Sequence, residues 1–412
     1  MAKKEVVLIG AGKIGRGYMA DVFNRAGYKL IFLGHTESKV KQLRAQGEYT
    51  IFMNHYGTDD WDVYKIGGYD IYCMGTEYAQ CLEALAGTNY VTVNVYPEAC
   101  ESIGRMIGDA VKLRMKNGNT QPLDVLTCVN FQDPANILRG FALEQMENEA
   151  QKAFLQEHVG FVETLIFRNG ADPTPEMLAQ DPMALSMSDN THWPVDKEAF
   201  KGCPPEGIEM DLMDNFAARL CYKVWAGNMG HCGQAFYGRL RGQTYMYEPA
   251  LQKDIFKNNA LARREASFGI CSEYNATPEQ LHTGRFSFKE RFDPSRVSKE
   301  DKDTIDRVGA DPARKLRRND RFIGPALLAM KHGQVPFFLC RGAAAGFYFV
   351  NPEDKAACEI QAFIKENGIE KAVEKYCQLD LSDKNENFLH QLIVANYYDL
   401  GDQDPADIAY MR

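Results

Sequence analysis

The chain has 412 residues, too many for one ordinary hydrophobic core, so two domains are expected. Hydrophobic residues at 45% and charged residues at 25% are those of a soluble globular protein. A net charge of −9 disfavours nucleic acid as a partner, and no apolar run reaches the roughly 20 residues that cross a bilayer, so no membrane partner is expected either.

Met1-Ala-Lys-Lys-Glu5 leads into an apolar strand, Glu5–Ile9, and does not read as a signal peptide. The turn Gly10-Ala-Gly12-Lys13-Ile14-Gly15 follows, and then Tyr18, Met19, Val22 and Phe23 recur at helical spacing. A strand, a glycine turn and a helix make a dinucleotide-binding unit. Gly10 allows the tight turn, Gly12 lets a pyrophosphate approach the backbone, and Gly15 lets the helix pack on the strand. The helix N-terminus offers free amides to the phosphates.

The second strand, Leu30–Leu33, ends in Gly34-His35-Thr36-Glu37-Ser38-Lys39. An acid at the position of Gly34 would hold the ribose 2′-hydroxyl of NAD. Here His35, Thr36, Ser38 and Lys39 could face a 2′-phosphate, while Glu37 could still serve the ribose, so the cofactor is NAD or NADP. Further strands are expected at Tyr69–Met74, Tyr90–Val95, Asp124–Asn130 and Phe161–Arg168, with a helix at Glu98–Lys116. A Gly/Pro-rich acidic stretch then runs to about Pro182. Alternating strands and helices imply a doubly wound parallel sheet with its ligand at the carboxyl ends of the strands. Asn130 would project there, or else cap a turn.

From about Asp211 the pattern becomes helical, with Leu212, Phe216, Leu220 and Val224 every four residues. This leads into Lys223-Val-Trp-Ala-Gly-Asn228-Met-Gly-His231, which sets an amine, a carboxamide and an imidazole close together. In an α-helix Asn228 and His231 would lie about 140° and 80° round from Lys223. Each helical glycine costs roughly 1 kcal/mol against alanine. Gly227, Gly230 and Gly233 therefore point to something that approaches this backbone closely. Later helices are expected near Pro249–Cys271, Arg321–Lys331, Pro352–Asn367 and Asn385–Tyr398. Between them, residues 311–321 hold five basic and two acidic side chains, either a solvated helix face or an anion site. The 11 cysteines are scattered without a Cys-x-x-Cys pair, and the 8 histidines form no ligand cluster. That suits reduced thiols in a cytoplasmic protein and argues against a metal.

Several segments together resemble the polyol-specific long-chain dehydrogenases and reductases over nearly the whole chain. They are Ile9-Gly-Ala-Gly-Lys-Ile-Gly-Arg-Gly17, Cys128-Val-Asn130, Trp193-Pro-Val-Asp-Lys197 and Lys223-x4-Asn228-x2-His231. Asp311-Pro-Ala-Arg-Lys-Leu316 and Asn319-Asp-Arg-Phe-Ile-Gly-Pro325 are similar to the sugar-phosphate branch. The resemblance implies a metal-free oxidoreductase with an N-terminal Rossmann domain (residues 1–200) and a mainly helical substrate domain (201–412). It implies Lys223 as general acid/base, Asn130 and Asn228 as amides on the substrate oxygen, and His231 as a substrate ligand. The implied small-molecule substrate is a hexitol phosphate, mannitol 1-phosphate, interconverted with fructose 6-phosphate. Arg314, Lys315, Arg318 and Arg321 are the phosphate candidates. A hexuronate or free polyol is the nearest alternative, and a non-catalytic dinucleotide sensor the next; a monomer or small homo-oligomer is expected. The chain departs from the family at Val129 and Phe167, where acids are usual, and at Gly34.

Overall fold

A computed structural model describes residues 4–55, 61–129, 133–281 and 303–402. The chain divides into two compact units, Met1–Phe216 and Ala217–Arg412.

The first unit is built on a six-stranded sheet in the order β5-β2-β1-β6-β7-β8, with every neighbouring pair parallel. Its strands are β1 (Glu5–Ile9), β2 (Lys29–Gly34), β5 (Asp70–Cys73), β6 (Tyr90–Val93), β7 (Leu123–Thr127) and β8 (Val159–Glu163). Parallel strands are covered on both faces and read as continuous apolar runs, and Val6, Val7, Leu8 and Ile9 are all fully buried. The order reverses beside β1, which puts the ligand crevice over the β1 and β6 ends. This is the expected Rossmann sheet. A 17-residue helix, α4 (Cys100–Lys116), buries Ile103, Met106, Ile107 and Val111. Its Gly104 and Gly108 let α5 (Pro134–Glu144) approach: a β-carbon on Gly108 would lie 2.7 Å from the Ala142 carbonyl oxygen.

The expected strand Phe161–Arg168 stops at Glu163. Thr164 then bridges Val195 and the Leu165 amide donates to the Pro194 carbonyl, so the chain leaves the sheet. Arg168 turns inward instead, pairing with buried Asp21 at 2.7 Å and lying over the Tyr18 ring at 4.3 Å. A second sheet, β4-β3-β10-β9, was not expected. It joins the hairpin β3 (Glu48–Asn54) and β4 (Trp61–Gly67) to β10 (Leu185–Ser188) and β9 (Gly170–Ala171). Residues 201–216 stay with the first unit because β12 (Asp211–Met213) pairs in parallel with β11 (Pro194–Asp196).

The second unit is mainly helical. Phe236, Phe322, Phe347 and Phe349 are all fully buried in its core, the first two stacked at 5.6 Å. Four of its helices matter most for the site. They are Phe216–Tyr222, Met229–Leu240, Lys253–Tyr274 and Ile323–Lys331, termed here A, B, C and D. Helix C packs along D through small residues: a β-carbon on Gly269 would sit 2.9 Å from the Ala329 nitrogen. The helix expected at Pro249–Cys271 is instead two, Tyr247–Ala250 and helix C, because Gln252 is extended.

The turn after β1 is closed by backbone. The Gly10 carbonyl occupies the place of a Gly15 β-carbon, and Gly10 itself has φ +99°. Gly15→Ala is expected to lower folding stability by about 1–3 kcal/mol, seen as a lower urea midpoint by circular dichroism. An unchanged midpoint would show that the turn yields without cost.

Candidate active site

In the first unit a cavity of about 650 Å³ opens beside this turn. It is lined by Gly10, Gly12, Gly34, His35, Thr36 and Lys39 from the ends of β1 and β2, and by Asn94, Tyr96 and Glu98 beyond β6. Nothing lies within 4 Å of where a Gly12 β-carbon would be, so ligand can reach this backbone. The Asn94 amide nitrogen donates to the Thr92 hydroxyl at 2.8 Å. Its Oδ1 is buried with no hydrogen-bond partner among the described residues. A buried acceptor of this kind calls for a donor, which a ribose hydroxyl or a carboxamide would supply. The residues present therefore fit a dinucleotide.

Three of the cofactor residues expected from the turn lie elsewhere. Lys13 points its ammonium at exposed Asp172, 2.6 Å away. Ile14 packs into the core, and Gly15 shapes the turn without lining the cavity. Sequence reasoning missed Arg16, which is 3% exposed. It donates from Nε to the Ala11 carbonyl at 3.0 Å and from Nη1 to the Met183 carbonyl at 2.8 Å. The guanidinium thus braces the turn from beneath and leaves a buried positive charge there. Residues 15–19 form a π-helical turn rather than an α-helical one.

In the second unit Lys223–Asn228 is also a π-helical turn, between helices A and B. The expected α-helical spacing is corrected here. The wider i→i+5 turn carries Asn228 round towards the Lys223 side, closer than the α-helical offset of about 140°. Lys223 is half-buried, while Asn228 and His231 are exposed. Burial, then the charge of Arg219 one turn earlier, hold the Lys223 ammonium below the ordinary lysine value. The charge of His231 reaches Asp303, whose carboxyl is lowered first by its hydrogen bond to Arg307.

The glycines of this segment have two explanations. A β-carbon on Gly230 would collide with the Arg263 guanidinium, and one on Gly233 would lie 2.6 Å from Asn259 Oδ1. Both neighbours come from helix C, so the close approach expected there is made by protein. Only Gly227 looks onto open space, with Tyr222 O at 3.9 Å the nearest atom. Arg263 also donates to the Ala226 carbonyl at 3.3 Å, which lays a guanidinium across the π turn. Its one trace in the sequence is Gly230, where any larger residue would meet that guanidinium.

The basic segment is mostly neutralised. Lys315 is 5% exposed and its Nζ donates to the Val308 carbonyl at 2.8 Å and to Ala310. Arg318 makes a two-pronged pair with Glu386, and Arg314 is held by Asp311 and Asp320. These contacts correct the expectation of a four-residue phosphate site. Arg321 uses Nε on Asp320 at 2.8 Å, and among the described residues the rest of its fork makes no hydrogen bond. Its charge reaches Cys232, next to His231. Asn130 lies outside the described residues. Among the described residues no cluster of three or more His, Cys, Asp or Glu is placed to hold a metal, and no helix is long and apolar enough to cross a membrane.

A parallel Rossmann sheet with an open cavity beside its glycine turn defines a dinucleotide-binding class of protein. Residues 4–207 match the family model for the mannitol dehydrogenase Rossmann domain. Over those residues the chain is similar to the Rossmann domain of this family of polyol oxidoreductases. It is 29% identical over 398 residues to mannitol-1-phosphate 5-dehydrogenase of Thermoanaerobacter pseudethanolicus, covering 96% of this chain and 98% of that one. Two solved structures share its fold at 15% identity. Mannitol 2-dehydrogenase of Pseudomonas fluorescens, in ternary complex with NAD and D-mannitol, matches with a TM-score of 0.67 over 99% of this chain and 93% of that one. A substrate-free D-sorbitol dehydrogenase matches with a TM-score of 0.74 over 98% and 94%.

Gly230→Ala is expected to displace Arg263 and lower the thermal midpoint, with an overpacking cost of about 1–3 kcal/mol. Adding Arg263→Ala to that variant should recover part of the loss. If the double variant melts no higher than Gly230→Ala, the guanidinium is not what fills the space.

Proposed function

We propose that the chain is a nicotinamide-dependent dehydrogenase that interconverts a hexitol phosphate and its ketose phosphate, mannitol 1-phosphate and fructose 6-phosphate. The observation that carries the reaction is the π turn, which brings Asn228 round towards the side of a lysine of depressed pKa. What supports the substrate is the relative of that activity, which matches nearly end to end.

The turn from Gly10 to Gly15 would hold the pyrophosphate, and Asn94 would take a hydroxyl or amide donor of the cofactor. The chemistry supplied by a bound nicotinamide is hydride acceptance and return. Lys223 takes the proton of the substrate hydroxyl as the C–H bond gives up hydride and the C=O bond forms. In the reverse direction it returns that proton to the developing alkoxide. Asn228 donates to the same oxygen, and the half-buried setting of Lys223 favours its neutral amine more than water would. His231 hydrogen-bonds a neighbouring hydroxyl. Of the four basic candidates the phosphate falls to Arg321, since Lys315, Arg318 and Arg314 are committed internally.

That commitment is also what favours a second reading, in which the substrate carries no phosphate. Purified protein with NADH or NADPH against fructose 6-phosphate, fructose, fructuronate and tagaturonate separates the two. Absorbance loss confined to fructose 6-phosphate supports the proposal. Turnover confined to the uronates or fructose supports the sister activity, and cofactor binding without any turnover would sink both.

Lys223→Ala is expected to lower kcat by about 10²- to 10⁴-fold, the usual contribution of a general acid/base. Polyol oxidation needs the neutral amine, so its rate should rise with pH through an apparent pKa below the free-lysine value. Ketose reduction needs the ammonium and should fall through the same pKa. A profile without that mirror symmetry would remove Lys223 from the proton transfer.

A further inference from the structure

The adenosine end of the cavity has an arrangement that the proposed activity does not require. The sheet position where an acid would grip a ribose diol is Gly34, and it has no room for a side chain. A β-carbon there would lie 2.5 Å from Cγ2 of Val40, which is itself 2% exposed. The next acid along the chain, Glu37, is exposed in the first turn of the helix Glu37–Gln46. It is engaged by Lys41 at 2.7 Å and does not line the cavity.

The groups that do line this end are His35, Thr36 and Lys39. Lys39 is partly buried, and among the described residues no carboxylate pairs with it. Its nearest charged influence is the buried Arg16 guanidinium, a like charge, which acts with burial to disfavour its ammonium. The Asp181 carboxylate acts on Arg16, but among the described residues none pairs with Lys39, whose ammonium is left electrostatically incomplete. Thr36 precedes the helix, yet its hydroxyl accepts from no helix amide and remains for a ligand. The one carboxylate lining the cavity, Glu98, follows β6, and β1 separates β6 from β2 in the sheet.

We propose that this end of the cavity binds a 2′-phosphate through Lys39, His35 and Thr36, so that the chain prefers NADP(H) to NAD(H). The inference rests on the dinucleotide reading of the cavity and assigns the determinant to Lys39. Phosphate oxygens on a partly buried ammonium form charge-assisted hydrogen bonds, whereas a bare ribose diol leaves that ammonium facing another cation.

Isothermal titration of the whole protein with adenosine 2′,5′-bisphosphate and with 5′-AMP tests this without turnover. The bisphosphate is expected to bind about 10- to 100-fold more tightly, the range of one or two charged hydrogen bonds. Lys39→Ala should collapse that ratio towards one, and Lys39→Arg should restore part of it, with thermal midpoints confirming that both variants fold. Equal or tighter binding of 5′-AMP by the unaltered protein would overturn the 2′-phosphate site while leaving the dinucleotide reading intact. So would a ratio that Lys39→Ala does not move. Failure of both nucleotides, and of NADH and NADPH, to bind would instead remove the dinucleotide reading on which the inference stands.

Discussion

The cavity of the first unit depends on one contact of backbone with backbone. The Gly10 carbonyl fills the place of a β-carbon at position 15, and a β-carbon at position 10 would in turn meet the Asn94 carbonyl. No side chain can be inserted between β1, the helix that follows it and β6. The same helix is pressed from its other side, where Gly17 lies against Met187 of β10. Arg16 then reaches beneath the loop to the carbonyls of Ala11 and Met183, tying the turn to the segment that leads into β10. The loop that offers its amides to a ligand is therefore held in place before any ligand arrives, which lowers the ordering cost of binding.

The second unit reaches its rigidity by another route. A π-helical turn has poorer hydrogen-bond geometry than an α-helical one and survives where packing over-determines it. Here Trp225 lies against helix D, where a β-carbon on Gly324 would be 2.7 Å from its ring, and Arg263 lies across Gly230. The return on that packing is a change of phase. One extra residue in the turn shifts Asn228 towards the side of Lys223, away from the offset of about 140° that a regular α-helix gives to residues five apart.

The sheet was legible in the sequence because strands buried on both faces leave unbroken apolar runs, as in Val6–Ile9 and Val91–Val93. The second sheet was not, because β10 pairs in parallel with β3 across more than a hundred residues of intervening chain, and such pairing leaves no local pattern. The π turn was illegible for a related reason: residue types do not reveal whether a helix closes at i+4 or i+5. Charge misled in its own way. Residues 311–321 look like an anion site because their partners, Glu386 for Arg318 and two carbonyls for Lys315, cannot be seen from the segment itself. Glycine was ambiguous in the same sense. It marks open space at Gly12 and Gly227 but a filled space at Gly15, Gly230 and Gly233.

A chain with a net charge of −9 must still attract an anionic dinucleotide, and net charge is the wrong quantity for that question. Surface carboxylates more than about 8 Å from a ligand are largely screened at physiological ionic strength. Many surface cations are matched by near neighbours, as Lys41 is by Glu37 and Lys13 by Asp172. Arg16 and Lys39 differ in being wholly or partly withdrawn from water and in making no ion pair among the described residues, although Asp181 acts on Arg16. Their fields are weakly screened, and they add to the amides at the start of the helix. Local desolvation of a few cations, set against neutralisation of the rest, is what lets an acidic protein present a positive site.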